Sequence, residues 1–329
     1  MRQGVSVIAT VKNEEGSIGQ LIDSLLAQSR PPDEIVIADG GSTDGTVLTI
    51  ERFRRRGAPI RLLSLPGSNI SQGRNAAIAA AQYEIIASTD AGVRLSKDWL
   101  AELVSPFERG DGGGEPPDVV SGVFLPDPKT TFEVAMGATV LPSLRDIKED
   151  SFLPSSRSVA FTREAWRRAG GYHEWLDYCE DLIFDFALRE VGCRFVLAPR
   201  AVAYFRPRED LGTFFKQYYR YARGDGKADL WRARHAVRYG TYLLGPLAFG
   251  LGFWYKLVWL PLGLAVGAYL YKPYQRLLPA LGRTSRLGRV EAILLVPVIR
   301  LVGDVAKMLG YPVGIRWRLR HRAGKDWRA

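Results

Sequence analysis

Cysteine is almost missing from this chain. Its 329 residues include two, Cys179 and Cys193, too few for a disulfide framework or a cysteine-built zinc site. A reduced, cytoplasm-facing domain is the simple expectation. The N-terminus passes directly into a strand-like run and lacks the long apolar core and cleavage site of a signal peptide. That first run is followed by KNEEG rather than G-x-G-x-x-G, so the phosphate turn of a dinucleotide fold is absent and a dehydrogenase is disfavoured. Compositional extremes are absent too. Hydrophobic residues make up 47% and charged residues 24%, which excludes wholesale disorder. The length allows one large domain or two ordinary ones with a full core.

What is abundant is positive charge, in one place. The formal net charge is +10. Residues 1–200 carry 22 Lys and Arg against 28 Asp and Glu, a net −6, and residues 201–329 carry 23 against 7, a net +16. The basic part also holds the long apolar runs. Basic residues beside apolar segments suit an anionic membrane leaflet better than a nucleic acid, and no nucleic-acid partner is expected.

The front of the chain alternates two periodicities. Residues 5–10, 34–38, 60–63 and 84–88 are short β-prone runs. Between the first two, Ile18, Leu21, Ile22, Leu25 and Leu26 repeat at helical spacing. Ser17 and Gln20 fit a capping box at that helix's start, and Pro31-Pro32 stops it. A second helix is expected from Thr46 and a third after Asn75. Such alternation predicts an α/β fold with a Rossmann-like, mostly parallel sheet flanked by helices. Ligands of these sheets bind beyond the carboxyl ends of the strands, so the polar residues there are the candidates.

Strand one ends in Thr10 and leads to Lys12, Asn13 and Glu14. Strand two ends in Asp39-Gly40-Gly41-Ser42-Thr43-Asp44-Gly45-Thr46, strand three leads to Gly73-Arg74-Asn75, and strand four ends in Thr89-Asp90-Ala91-Gly92. A nucleoside diphosphate fits this set. A carboxylate accepts from a base N–H or ribose hydroxyls, and the glycine turn after Asp39 lets backbone approach a ligand. Arg74 offsets phosphate charge with its forked donors, and Asp90 can hold ribose or a divalent cation. Each piece also has a plain structural use. DGGSTDGT is a sound turn and helix cap, Asp90 a strand-end residue, and Arg74 a surface pair. Their joint occurrence at successive strand ends carries the functional reading.

Taken together, TVKNE, DGGSTDGT, GRN and TDAG resemble the pattern of glycosyltransferase family 2, over about residues 4–225. The resemblance implies the GT-A fold and a nucleotide-diphosphate sugar donor. It places Thr10, Glu14, Asp39 and Gly41 around the nucleoside and Arg74 near the base and diphosphate. It makes Asp90 the first acid of an Asp-x-Asp motif and a metal ligand. Gly92 stands where the second acid is usual, although some members of the family also read Asp-Ala-Gly here. A divalent cation, Mn or Mg, is the expected cofactor.

The acceptor half, about residues 111–225, begins in a loop-like run at 110–118 and resumes a strand at 119–124. A strand at 158–161, a short helix at 162–169 and a Gly170-Gly171-Tyr172 turn lead to Glu180-Asp181, which opens a helix. Acids at a helix N-terminus are favoured electrostatically in any protein. The family resemblance matches this pair to the motif that supplies the catalytic base. Inverting transfer needs one carboxylate to take the acceptor's proton, and the diphosphate leaving group needs charge stabilisation. Asp181 is the expected base and Glu180 its support, with His173 a lesser candidate in a turn. A helix from about Asp210 carries QYYRYARGDGKA, loosely similar to the family's Gln-x-x-Arg-Trp element, so Arg220 is a diphosphate candidate. The same stretch also reads as a basic amphipathic helix on a membrane.

The chain therefore divides into a catalytic domain at 1–225, its nucleotide half at 1–110, and a basic, apolar helical tail at 226–329. Residues 239–271 are apolar but for Lys256, while 290–310 contain Arg300, Asp304 and Lys307. One tilted span, a hairpin, or helices lying in the membrane plane fit these runs, with a buried soluble helical domain as the alternative. Basic clusters flank both runs, at 232–238, 272–289 and 316–325, so simple single spans break the positive-inside rule. The expectation is an enzyme at the cytoplasmic membrane, catalytic domain facing the cytoplasm, acting on a lipid-linked or polysaccharide acceptor. A non-catalytic membrane adaptor that keeps the fold is the alternative, with Gly92 as its support.

Overall fold

The computed structural model of the chain describes residues 3–109, 115–148 and 152–321. Residues 110–114 of the expected loop and 322–325 of the last basic cluster lie outside them. Two compact units emerge, one of residues 1–125 and 144–205, the other of 126–143 and 206–329.

The first unit alternates β1 (Val5–Val11), α1 (Glu15–Leu26), β2 (Glu34–Asp39), α2 (Thr46–Arg55), β3 (Ile60–Ser64), α3 (Ile70–Ala80) and β4 (Ile85–Asp90). Then follow β5 (Val93–Leu95), α4 (Trp99–Arg109) and β6 (Val119–Pro126), whose last residue begins the second unit. After the excursion into that unit, which includes α5 (Thr131–Val140), come β7 (Val159–Thr162), α6 (Arg163–Arg168), α7 (Glu180–Glu190) and β8 (Phe195–Phe205). The sheet order is β3-β2-β1-β4-β7-β6-β8-β5.

Every second residue of a strand faces the same way, and the two helical layers divide accordingly. Val5, Val7, Ala9, Val11, Ile35 and Ile37 form one core with Leu21 and Leu25 of α1, Ile50 of α2 and Trp99 and Leu103 of α4. Ile8, Val36, Ala38, Ile86 and Phe161 form another with Ala77 and Ile78 of α3, Ala165 of α6 and Phe184 and Leu188 of α7. These strands are buried on both faces, which is why they read as continuous apolar runs.

Two expectations need correcting. The sheet is mixed rather than mostly parallel. β1 pairs in parallel with β2 and β4, and β2 with β3, but β7 is antiparallel to β4 and β6, and β5 to β8. The four strands with regular helical crossovers make the parallel half. β7 and β8 arrive from longer connections that no local pattern orients. The capping box at Ser17 and Gln20 is also absent. Glu14 is the N-cap of α1, and Ser17 Oγ instead donates to the Glu14 carboxylate. A complete capping box appears at α3, between Asn69 and Gln72, so this helix begins at Ile70 rather than after Asn75.

The second unit contains α5 (Thr131–Val140), α8 (Leu211–Lys227), α9 (Arg232–Leu251), α10 (Trp259–Ala280) and α11 (Arg286–Arg320). Its core joins Met136 of α5, Phe214 of α8, Leu277 of α10 and Ala292, Val296 and Ile299 of α11. Gly310 and Gly314 let α11 lie directly against α8, because a Cβ at either would overlap a carbonyl oxygen, of Tyr219 or Arg223. The compact units thus differ from a division at 225/226: α5 and the whole of α8 pack with the tail helices. The apolar tail is helical as expected, but no helix among the described residues is long and apolar enough to cross a membrane. Lys272 and Arg276 interrupt α10, and Arg300, Asp304 and Lys307 interrupt α11.

Gly122 of β6 is a packing constraint inside the sheet. A Cβ there would overlap Ser158 Oγ and stand 2.6 Å from the Ala201 carbonyl oxygen. Gly122→Ala should destabilise the protein by about 1–3 kcal/mol through overpacking, seen as a lower urea midpoint at unchanged slope.

Candidate active site

The parallel register brings the expected strand ends together. Thr10 lies opposite Ala38 on one side and Asp90 on the other, Val11 opposite Asp39, and Asp39 opposite Ser64. The carboxyl ends of β1 to β4 therefore form one edge carrying Thr10, Asp39 and Asp90.

The turns after β1 and β2 are stitched to each other. Asn13, at φ 57°, accepts from Thr43 N at 2.8 Å, and its own N–H donates to Ser42 Oγ at 2.9 Å. The Glu14 N–H donates to Thr46 Oγ1 at 2.8 Å. Asp39 is buried and clasps its own turn, accepting from Gly41 N and Ser42 N at 3.1 Å and from Ser42 Oγ at 2.5 Å. Gly41 has φ +90°, and a Cβ there would stand 3.1 Å from Pro66 Cα. Glycine is needed for both reasons.

Arg74 organises the other half of the edge. It sits on α3, fully within the protein at 3% exposure. Its Nη1 donates to Glu180 Oε1 at 2.6 Å and its Nη2 to Asp90 Oδ1 at 3.0 Å. Its guanidinium lies 5.3 Å from the centre of the Tyr172 ring. Glu180 and Asp90 keep it protonated against the cost of burial. Asp90 is reached by a second cation, Arg157 Nε at 3.6 Å. Arg157 is itself held over the Phe205 ring at 4.6 Å.

The N-cap and first two turns of α3 also fix the segment leading to the Glu-Asp pair. Asn75 Oδ1 accepts from Tyr172 N at 2.9 Å and Trp166 Nε1 at 3.1 Å, while its Nδ2 donates to Tyr172 O at 2.8 Å. Ser71 Oγ donates to Leu176 O at 2.8 Å, and Asn69 Nδ2 to Glu174 O at 2.6 Å. Cys179, at φ 63°, then turns the chain into α7, a left-handed conformation that a non-glycine residue adopts only under surrounding constraint. Glu180 ends buried against Arg74, and Asp181 stays half-buried. Burial pushes the Glu180 carboxyl up, Arg74 opposes it, and Asp181 adds to it. One turn further, Asp185 is buried with an Oδ2 that has no hydrogen-bond partner. Burial, then the Asp181 charge, push its carboxyl well above the aspartate range.

Of the expected site residues, Arg74, Asp90 and Glu180 meet directly, Asp181 follows Glu180, and Thr10, Glu14, Asp39 and Gly41 line the same sheet edge. Arg220 is exposed on α8 in the second unit. His173 lies beside Trp175, ring centroids 5.9 Å apart, and burial lowers its pKa. Arg157, Tyr172 and Asp185 escaped the sequence reading. Tyr172 carried a signal, being next to the glycine turn, but Arg157 and Asp185 carried none. For a cation, Asp90 offers one carboxylate, and a Cβ at Gly92 would meet only open space. No group of three or more His, Cys, Asp or Glu able to hold a metal occurs among the described residues. One carboxylate with donor phosphates suits a magnesium-like ion, with Arg74 and Arg157 competing for the same oxygens.

Residues 6–149 match the family model Glycosyl transferase family 2, and residues 144–282 match Glycosyl transferase family group 2. The chain is a glycosyltransferase carrying family 2 domains. It is 27% identical over 256 residues to the succinoglycan biosynthesis protein ExoA of Rhizobium meliloti, covering 74% of this chain and 76% of that one. It is 22% identical over 264 residues to the poly-beta-1,6-N-acetyl-D-glucosamine synthase of Staphylococcus epidermidis, covering 74% of this chain and 60% of that one. The fold is shared with the mannosyltransferase PcManGT from Pyrobaculum calidifontis, solved in complex with GDP-Man and Mn2+. There the TM-score is 0.56 at 19% identity, covering 98% of this chain and 88% of that one. The transferase thus has a GT-A-like α/β fold, and the two curated relatives named above are polysaccharide-synthesis proteins.

Two outcomes test this geometry. Arg74→Met leaves two carboxylates without their buried partner and should cost about 3–5 kcal/mol of stability, measured by chemical denaturation. Asp185 has a folded pKa raised above its unfolded one, so its contribution to stability falls as pH rises through that interval. Asp185→Asn should flatten that fall in urea titrations across a pH series, and an unchanged slope would refute the buried carboxyl's titration.

Proposed function

We propose that the transferase inverts the anomeric centre, moving a sugar from a nucleotide-diphosphate donor to a lipid-linked or polysaccharide acceptor. The observation that carries this is the Arg74 bridge between Asp90 and Glu180, one residue from the half-buried Asp181. Thr10, Glu14, Asp39 and Gly41 take the nucleoside side, with Asp39 sharing its oxygens between the turn and the ligand. Arg74 and Asp90 stand at the diphosphate, and Asp90 would hold a divalent cation, Mn or Mg, which would neutralise the leaving group's charge. Asp181 removes the acceptor hydroxyl's proton as that oxygen attacks. Glu180, tied to Arg74, supports it.

The second unit supports a place on the cytoplasmic membrane face. Leu243, Leu247, Phe253, Trp254, Leu257 and Leu260 of α9, α10 and their connection are exposed, with basic residues on either side. An apolar surface of this kind rimmed by cations suits helices lying in the interface rather than crossing it. The domain division at 225/226 remains part of this proposal in functional terms, the tail serving as the attachment.

The test is thermal unfolding of the detergent-purified protein with a panel of nucleotide diphosphates and their sugars, each with and without Mn2+ or Mg2+. One donor should raise the unfolding temperature, since a ligand of the folded state alone stabilises it. Asp181→Asn should keep that protection and lose transfer by about 10²–10⁴-fold. Full transfer by a folded, donor-binding Asp181→Asn would refute the base assignment.

A further inference from the structure

Arg157 lies in the short segment that leads into β7, beside the candidate site. Its backbone is fixed to the end of β4. Thr89 Oγ1, one residue before Asp90, donates to the Arg157 carbonyl at 3.1 Å. Arg157 Nη1 donates to Ser155 Oγ at 3.1 Å. The guanidinium lies over two aromatic rings, 4.6 Å from the centre of Phe205 and 5.5 Å from that of Phe124. The antiparallel pairing of β5 with β8 sets Phe205 opposite Val93, directly after the Asp90-Ala91-Gly92 turn. The fold thus builds an aromatic platform for this arginine next to Asp90.

The two arginines at Asp90 are not held alike. Arg74 Nη2 donates to Asp90 Oδ1 at 3.0 Å, its Nη1 is tied to Glu180, and its side chain is buried. It is fixed from two sides. Arg157 Nε approaches Asp90 Oδ2 only to 3.6 Å, and its side chain is 20% exposed. That separation is beyond hydrogen-bond length, and a partly exposed ion pair is weak. The Asp90 side chain is itself 28% exposed, and a Cβ at Gly92 would meet only open space. Asp90 therefore has one oxygen committed to an immobile arginine and one shared with an arginine that can yield.

We propose that Arg157 is a second diphosphate-binding arginine, which trades Asp90 for the donor. Without donor, its guanidinium balances Asp90 Oδ2. With donor, it turns on its aromatic platform towards the diphosphate oxygens and leaves Asp90 Oδ2 to the divalent cation. Stacking suits this exchange. A ring holds the face of a guanidinium, and the N–H groups at its edge stay available for forked recognition of phosphate. The diphosphate contact rests on the donor reading proposed above, whereas the weak pairing with Asp90 does not.

The experiment is titration calorimetry of the full, detergent-purified chain with UDP and GDP in the presence of Mn2+, with UMP and GMP as one-phosphate controls. Electron paramagnetic resonance measures Mn2+ binding without nucleotide. Wild type should prefer one diphosphate over its monophosphate. Arg157→Gln should lose about tenfold of that preference, the scale of one charged hydrogen bond, with monophosphate affinity unchanged. It should also bind Mn2+ alone about threefold to fivefold more tightly, since a partly exposed competing cation is gone. Arg157→Lys keeps the charge without the fork. It should return Mn2+ affinity to the wild-type level and restore only part of the diphosphate preference. An unchanged preference in Arg157→Gln would overturn the diphosphate contact, and unchanged Mn2+ binding would overturn the exchange at Asp90. Equal losses for monophosphate and diphosphate would mark a structural role and overturn the proposal as well. Wild type that binds none of the four nucleotides would overturn the donor reading together with this contact. Diphosphate binding that ignores Arg157 counts against this proposal alone.

Discussion

The buried guanidinium of Arg74 is the constraint on which the rest of the site depends. A charge taken out of water persists only with close counter-charges and satisfied donors, and here two carboxylates from different parts of the chain supply them. That requirement ties the end of β4 to the start of α7 through α3. Asn69, Ser71 and Asn75 on the same helix add backbone contacts to residues 172–176. Asp90 and Glu180 are thus tied together through one helix.

The arrangement divides labour between carboxylates by environment. Asp39 is spent on its own turn, Asp90 is shared between two arginines, Glu180 is buried against one of them, and Asp181 stays half-open. Asp185 is buried with an Oδ2 that has no hydrogen-bond partner, and burial and the Asp181 charge hold its carboxyl up. Among these, Asp181 combines access with placement next to the Arg74 bridge, and the proposed proton transfer falls to it for that reason.

The second unit solves a different problem. Its helices bury one face around Phe214, Leu277 and Val296 and leave another face apolar and exposed. Charged residues inside α10 and α11 interrupt the apolar runs. Helices of that kind are poorly suited to crossing a bilayer and well suited to lying along its surface.

Much was legible in the sequence, for local reasons. Apolar periodicity placed β1 to β4 and their helices, and turn chemistry marked Thr10, Asp39, Gly41, Arg74 and Asp90 as strand-end residues on one edge. The pairing of Arg74 with Glu180, 106 positions apart, was not legible, nor were the antiparallel half of the sheet, the packing of α5 with the tail helices, and the places of Arg157 and Asp185. A strand's period reports which residues share a face, but its neighbours and direction are set by long connections. A charged side chain shows its type in the sequence, but its partner and its burial are decided only when distant segments compete for the same enclosed space.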